Sequence, residues 1–250
     1  MIKSKLLKKY KNINHGFFNK VGGKSVGMYK SLNCGTGSSD NKNHVKKNLG
    51  IVSNKIGCKK SRLVLIKQIH SNKIRFVKKN TKRKIVGDGM ITSQRGLALG
   101  ILTADCAPIL FYDPKKVLIG AAHAGWKGAY KNIAKKMTNY FIKRGSKIND
   151  INVIIGPCIS KSNYEVKNDF KKKFLRLNKY NKINFFTKKN KIYFSLNGFL
   201  KAELVNLGHK NIEIINKNTY NPKNNFFSAR RSLKKKFIDY GRNISVIMIK

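Results

Sequence analysis

Acidic side chains are scarce in this chain. Ten Asp and Glu stand against 55 Lys and Arg in 250 residues, a formal net charge of +45. Such a field attracts polyanions in a salt-dependent way. Arginine, however, is also scarce: nine of the 55 basic residues are Arg. Sequence-reading proteins lean on the planar Arg fork for bidentate contacts, and the Lys here rises together with Asn and Ile, as a bias towards A/T-rich codons would produce. No specific nucleic-acid partner is therefore expected. The four cysteines, Cys34, Cys58, Cys106 and Cys158, form no CxxC pair and no dense framework, which speaks against a disulfide scaffold. No apolar run reaches the roughly 18 residues of a membrane span; the best stretch, residues 96–112, is broken by Asp105. Residues 1–20 are basic but lack the apolar centre of a signal peptide. No fixed-period repeat and no Pro-, Gly- or Ser-rich linker divides the chain. One domain over residues 1–250, in the reducing cytoplasm and away from membranes, is expected. The hydrophobic fraction of 41% fits an ordered fold with a sizeable core.

Lysine also avoids one place. Residues 87–128 contain four basic side chains, Arg95, Lys115, Lys116 and Lys127. An unpaired ammonium is costly to bury, so this segment reads as core. Within it, residues 97–102 and 117–121 are short apolar runs of strand type, ending at Thr103-Ala-Asp-Cys106 and Ala121-Ala-His123-Ala-Gly-Trp126. A third strand-like run, residues 63–69, ends at His70. Two imidazoles and one thiolate suit zinc, and three protein ligands leave a fourth position for water or substrate, as in a catalytic site. Copper accepts the same donors. A multicopper centre needs many more histidines than the five present.

The remaining pattern is mixed. Residues 15–36 are Gly-rich and read as turns and loop; 38–50 read as a short helix or loop. Residues 73–77 are expected to pair with the 63–69 strand, and Gly87-Asp88-Gly89 to turn into a strand at 90–92. Ile133, Ala134, Met137, Phe141 and Ile142 share a helical face closed by Gly145. Further strands are expected at 152–155, 212–215 and 244–249. Residues 167–190 read as helix then loop, and Asn197 as the cap of a helix bearing Leu200, Leu204 and Leu207. The class is α+β, with a mixed central sheet and flanking helices.

Seven short motifs occur in order: Gln68-Ile-His70-Ser, Gly87-Asp88-Gly-Met-Ile-Thr92, Thr103-Ala-Asp105-Cys106-Ala-Pro, Ala122-His123-Ala-Gly-Trp126, Gly156-Pro-Cys-Ile159 with Tyr164-Glu165-Val, Phe226-Phe-Ser-Ala-Arg230-Arg231, and Tyr240-Gly-Arg242. Together they resemble the YfiH-type laccase-domain family, also called multicopper polyphenol oxidoreductases. The resemblance implies a YfiH-like fold and a zinc site at His70, Cys106 and His123. It implies phosphorolysis of adenosine, inosine, guanosine and methylthioadenosine, with adenosine deamination as a second activity. Purine nucleosides and inorganic phosphate are then the expected partners of a monomer or small homo-oligomer. Lys127 stands where the family usually has Arg, and Ala229 where it usually has Tyr. The first keeps charge but loses the planar fork.

Deamination needs an activated water and a carboxylate to carry protons; Asp105 and Asp88 are the candidates. Phosphorolysis needs cations that hold phosphate in line, for which Lys127, Arg230 and Arg231 are expected. Asn33 is expected to bond a base edge or ribose. The competing readings are a copper-dependent polyphenol oxidoreductase, a metal-free hydrolase using Cys106 as nucleophile and His123 as base, and a basic RNA-docking protein.

Overall fold

The computed structural model describes residues 1–78 and 85–250. In chain order its strands are β1 (Ile13–Phe17), β2 (Leu63–Leu65), β3 (Ile74–Phe76), β4 (Gly89–Thr92), β5 (Ala98–Thr103), β6 (Ala107–Asp113), β7 (Leu118–Ala124), β8 (Asn152–Ile155), β9 (Glu165–Val166), β10 (Phe185–Lys188), β11 (Lys191–Phe194), β12 (Asn211–Ile214) and β13 (Asn243–Ile249). The helices are α1 (Lys5–Lys8), α2 (Lys42–Ile56), α3 (Trp126–Tyr130), α4 (Ile133–Ile142), α5 (Asn168–Leu177), α6 (Leu196–Asn206) and α7 (Ala229–Lys234). The class is mixed α+β.

Two sheets carry the architecture. One has four strands in the order β1-β13-β5-β2, the other six in the order β12-β8-β6-β7-β4-β3. A small antiparallel sheet, β10-β11-β9, pairs with neither but packs Phe194, Phe185 and Val166 on the core of the six-stranded sheet. Side chains alternate across a strand, and here both faces of the central strands are buried. Along β6, Leu110 and Tyr112 join a core with Leu99, Ile101 and Ile247 of the four-stranded sheet, so this core lies between the sheets. Ile109 and Phe111 face the other way, against Met137 and Phe141 of α4 and Leu200 and Leu204 of α6. Val246 and Met248 of β13 pack with Val52 and Ile56 of α2. Burial on both faces explains why residues 96–124 read as nearly continuous apolar runs.

Several expectations need correction. Residues 73–77 do not pair with the 63–69 strand: β3 runs parallel to β4, and β2 runs parallel to β5 in the other sheet. Strand β2 ends at Leu65 because the chain must then turn, and the Gln68 amide replaces the backbone ladder. Its Nε2 donates to the Leu102 carbonyl at 2.7 Å and its Oε1 accepts from the Leu102 N–H at 2.8 Å. The Gly-rich segment 15–36 begins inside β1, which pairs with β13 along its whole length. The helix expected within 38–50 extends to Ile56. The loop expected before Asn190 contains β10, joined to β11 through Lys189 and Asn190, both at positive φ (48° and 58°). That is the geometry of a two-residue hairpin turn. The cap of α6 is Ser195, whose hydroxyl accepts from the Gly198 N–H at 3.3 Å; Asn197 lies inside the helix. Among the described residues, no helix is long and apolar enough to cross a membrane.

Candidate metal centre

Three chain segments from different parts of the fold meet where β5 and β7 end. The link from β5 to β6 crosses between the two sheets through Asp105, which takes φ 83°, and delivers Cys106 at the start of β6. His123 is the penultimate residue of β7, paired with Pro108 of β6. His70 follows β2 in a left-handed turn at φ 55°. The ligand-capable atoms of His70, Cys106 and His123 all lie within 4.8 Å of one another, the one such cluster among the described residues. The two imidazole rings meet edge to face, 4.8 Å between centroids. Gly125 makes this convergence possible: a Cβ there would stand 2.9 Å from Cys106 Sγ and 3.1 Å from His70 Cδ2.

Burial is graded across the three residues. His123 is buried, Cys106 half-buried and His70 exposed, so the cluster opens towards solvent on the His70 side. They line a cleft of about 480 Å³ together with Lys67, Gln68 and Arg242. Cys106 also borders a second space of about 160 Å³, with Asp105, Tyr164 and Arg230.

Asp88 organises two of the three ligands. It is fully buried, and its Oδ1 accepts from His123 Nδ1 at 2.8 Å and from the His70 N–H at 3.0 Å. Its Oδ2 accepts from the Ile69 and Ser71 N–H groups at 3.3 and 2.6 Å and from the Ser71 hydroxyl at 2.6 Å. The left-handed turn at His70 aims consecutive N–H groups at one carboxylate, an anion-binding nest. With Nδ1 on Asp88, His123 keeps Nε2 for the thiol side. Burial pushes the Asp88 carboxyl up, but the bonds from His123 and Ser71 outweigh it and hold it below its ordinary range. Burial likewise raises the Cys106 thiol, and the imidazoles of His123 and His70 overcome this to bring it down to about 7. Burial depresses His123, yet the Cys106 thiolate and Asp88 leave it raised. A thiol ready to ionise, two imidazoles and a carboxylate behind one of them form a donor set that fits a zinc-like ion.

The other expected residues fall into different places. Asp105 is buried, and both its oxygens are engaged: Oδ1 with the Thr219 hydroxyl at 2.7 Å, Oδ2 with the Ser228 hydroxyl at 2.9 Å and the Arg230 N–H at 2.7 Å. It therefore anchors the start of α7; burial raises its pKa. Asn33 is fully buried and has no group left for a substrate. Its Nδ2 donates to Ser38 and Asp40, and its Oδ1 accepts from the Gly35 and Arg242 N–H groups, all at 2.8–2.9 Å. Arg231 spends its guanidinium on the carbonyls of Thr219, Tyr220 and Phe226. Lys127 is exposed, with Nζ 5.7 Å from the Trp126 ring centroid, and is not among the residues lining the cleft. Arg230 lies over Tyr164 at 5.5 Å and donates to the Glu165 carbonyl at 3.1 Å. Cys34 and Cys158 are buried in the core, and all four cysteines are free.

Sequence reasoning missed Arg242 and the organising part of Asp88. Arg242 lines the cleft, stacks on Tyr240 at 4.4 Å and pairs with Asp239 at 2.9 Å. Its one signal was the Tyr240-Gly-Arg242 motif, because nothing local ties residue 242 to residue 70.

A family model described as multi-copper polyphenol oxidoreductase laccase matches residues 14–250. The chain belongs to this family. Among curated relatives, a purine nucleoside phosphorylase of Rickettsia prowazekii is 30% identical over 243 residues, covering 96% of this chain and 98% of the relative. The purine nucleoside phosphorylase YlmD of Bacillus subtilis is 35% identical over 166 residues, 62% of this chain and 60% of the relative. Among solved structures, the hypothetical protein YfiH of Bacillus licheniformis superimposes with a TM-score of 0.88 at 32% identity, covering 95% of this chain and 93% of that one. YlmD of Geobacillus stearothermophilus gives 0.89 at 26% identity, covering 96% and 93%. The family's descriptive name invokes several coppers. The described residues offer one three-donor cluster, and two other histidines are engaged elsewhere: His15 accepts from the Ser4 N–H, and His209 bonds Thr138.

Proposed function

We propose that this protein is a zinc-dependent purine nucleoside phosphorylase, acting as one domain over residues 1–250 in the cytoplasm. Adenosine, inosine, guanosine and methylthioadenosine react with inorganic phosphate to give free base and the pentose 1-phosphate, with adenosine deamination as a second activity. The observation that carries the reading is the His70–Cys106–His123 cluster lining an open cleft of about 480 Å³ that also holds Lys67 and Arg242. That volume is in the range of small-molecule sites. The curated relatives named as purine nucleoside phosphorylases support it.

Phosphorolysis breaks the C1′–N9 bond, forms a bond from phosphate oxygen to C1′, and delivers a proton to the departing purine. Positive charge on the sugar makes in-line positioning of the anion the main requirement. Arg242 and Lys67 supply cations on the cleft wall, and Arg230 adds one beside Cys106. His70, Cys106 and His123 would hold the ion. A zinc ion bound there supplies Lewis acidity and lets water act near neutral pH. Copper, the alternative ion, fits the same donors. Asp88 keeps His123 in one tautomer and His70 in its turn, and is the carboxylate left to take a proton, through His123, in the deamination. Asp105 sets the position of Arg230 instead of carrying protons, since both its oxygens are occupied.

The test incubates the metal-loaded protein with adenosine, with and without phosphate, and separates adenine from inosine by chromatography. Adenine formed only with phosphate, and lost in Cys106→Ala, is the expected result; unchanged adenosine in every tube refutes it. The closeness of the Cys106 sulfur to a His123 ring nitrogen, within 4.8 Å, favours a second reading. Cys106 at about 7 beside a raised His123 also describes a thiolate–imidazolium pair for metal-free hydrolysis. That activity would survive chelation and die on alkylation, whereas the phosphorylase loses activity to chelators.

A further inference from the structure

Helix α7 borders more than the metal cleft. Ala229 faces that cleft and Arg230 the space behind Cys106, while Arg231 and Ser232 line a separate cavity of about 540 Å³. Four cations belong to this separate cavity: Lys20, Lys30, Arg231 and Lys235. Its lining includes no carboxylate. The two acidic residues nearest in sequence are engaged elsewhere. Asp239 accepts from Tyr29, Ser39 and Arg242, and Asp40 from Ser25 and Asn33.

The backbone of Lys20 and the guanidinium of Arg231 are held in place. Lys20 N–H donates to the Asn225 carbonyl at 2.8 Å, and the Lys20 carbonyl accepts from Ser31 N–H, Leu32 N–H and the Ser31 hydroxyl. Arg231 is fixed by its three carbonyl partners. Like charges this close repel: burial first, then Arg231, Lys235 and Lys30, lower the pKa of Lys20. Asp105, bonded to the lining Ser228, offsets part of the Arg231 charge from behind the wall, but no carboxylate lines the cavity beside the three lysines, so an anion entering among them is stabilised. The wall beside the cations is apolar, through Met28, Phe227 and Phe237. Inorganic phosphate alone would leave that wall and most of the volume unused.

We infer that this cavity is a second ligand site, taking a small organic phosphate of nucleoside monophosphate size, its phosphate among Lys20, Lys30 and Lys235 beside the fixed charge of Arg231, and its ring against Phe237 and Met28. The inference does not depend on the phosphorylase reading. The probe is N-methylanthraniloyl-AMP, followed by fluorescence anisotropy at about 0.15 M salt, where exposed long-range charge is largely screened. Lys20→Ser combined with Lys235→Ser is expected to weaken binding at least about tenfold, as loss of charge-assisted bonds would. A control carrying Lys171→Ser and Lys172→Ser, on α5, removes equal charge and is expected to stay within about twofold, as substitutions outside the contact do. Unlabelled AMP should displace the probe where equal inorganic phosphate does not.

Four results overturn the inference. Equal loss in both double variants would mean general attraction to a chain of +45 charge. Displacement by adenosine, with the Lys20/Lys235 variant unaffected, would place the probe in the metal cleft. Equal displacement by inorganic phosphate would remove the organic part. No binding to the probe, with Lys20-dependent binding to phosphatidylglycerol vesicles instead, would make this face a lipid contact.

Discussion

Replacing Asp88 with Asn should damage the metal centre without touching a ligand. Every acceptor position of this carboxylate is used, by His123 Nδ1, three backbone N–H groups and the Ser71 hydroxyl. An Asn amide keeps one oxygen and turns the other into a donor. Whichever way it flips, its NH₂ faces two N–H groups: His123 and His70 on one side, Ile69 and Ser71 on the other. The Ser71 hydroxyl can rotate to accept, but the N–H groups cannot. Two bonds to a charged acceptor are therefore lost in a site that excludes water. At about 1.5–3 kcal/mol each, the metal-free protein should lose about 3–6 kcal/mol. Metal affinity should fall about 10–100-fold, the usual cost of removing the carboxylate behind a ligating histidine. Urea unfolding in chelator measures the first, and competition against a chromogenic zinc chelator measures the second. If Asp88→Asn does not fold, Ser71→Ala removes one of these bonds, with an expected cost of about 1.5–3 kcal/mol. A folded Asn variant within about 1 kcal/mol of the parent, with unchanged zinc affinity, would refute the assignment of Asp88 as organiser.

Gly125→Ala places a Cβ 2.9 Å from Cys106 Sγ at an ordinary φ of −75°. The backbone is unstrained, so overpacking of about 1–3 kcal/mol should appear together with weaker zinc binding; normal zinc affinity would show that the thiol can yield. Arg242→Lys should raise KM for phosphate more than it lowers kcat, because charge survives while the planar fork does not; equal KM values would remove Arg242 from phosphate holding. Glu203 is raised by burial to about 7, with Oε2 unpartnered. Its neutral form is favoured in the fold, so its contribution is intact below pH about 4.3, the unfolded value, and fades as pH rises through 7. Glu203→Gln should therefore stabilise the protein at pH about 8, by at most about 3 kcal/mol, and leave it unchanged at pH about 4. Equal stabilisation at both values in unfolding curves would disprove a titrating Glu203. His15 has the opposite dependence. Burial lowers it to about 4, so its neutral form supports the fold above its ordinary pKa, and that support drains away as pH falls towards 4.

What could be read along the chain was local. The β5–β6–β7 run shows itself because both faces of each strand are apolar, and α4 because its apolar residues recur at helical spacing. His70, Cys106 and His123 stood out because each ends a strand-like run, the last two in Ala- and Gly-rich stretches. Pairing is not local. Whether β2 joins β5 or β3 depends on which backbone edge is free after folding; β2 takes β5, and the Gln68 amide carries the contact on to Leu102. The β10–β11 hairpin lies in a stretch of Lys and Asn, where its Phe side chains gave weaker contrast than its charges. Asn33 carries polar groups that suit a substrate, but Ser38, Asp40 and the Gly35 and Arg242 N–H groups consume them, and three carbonyls take most of the Arg231 guanidinium. Asp88 reads as a turn residue until the fold brings residues 69–71 and 123 onto its two oxygens. Sequence determined which chemical groups exist and where strands end, since those follow from side-chain type and spacing. Tertiary structure decided which of those groups remain free, because a hydrogen-bond partner brought from elsewhere in the chain, such as Thr219 and Ser228 on Asp105, satisfies a polar atom as fully as a substrate would.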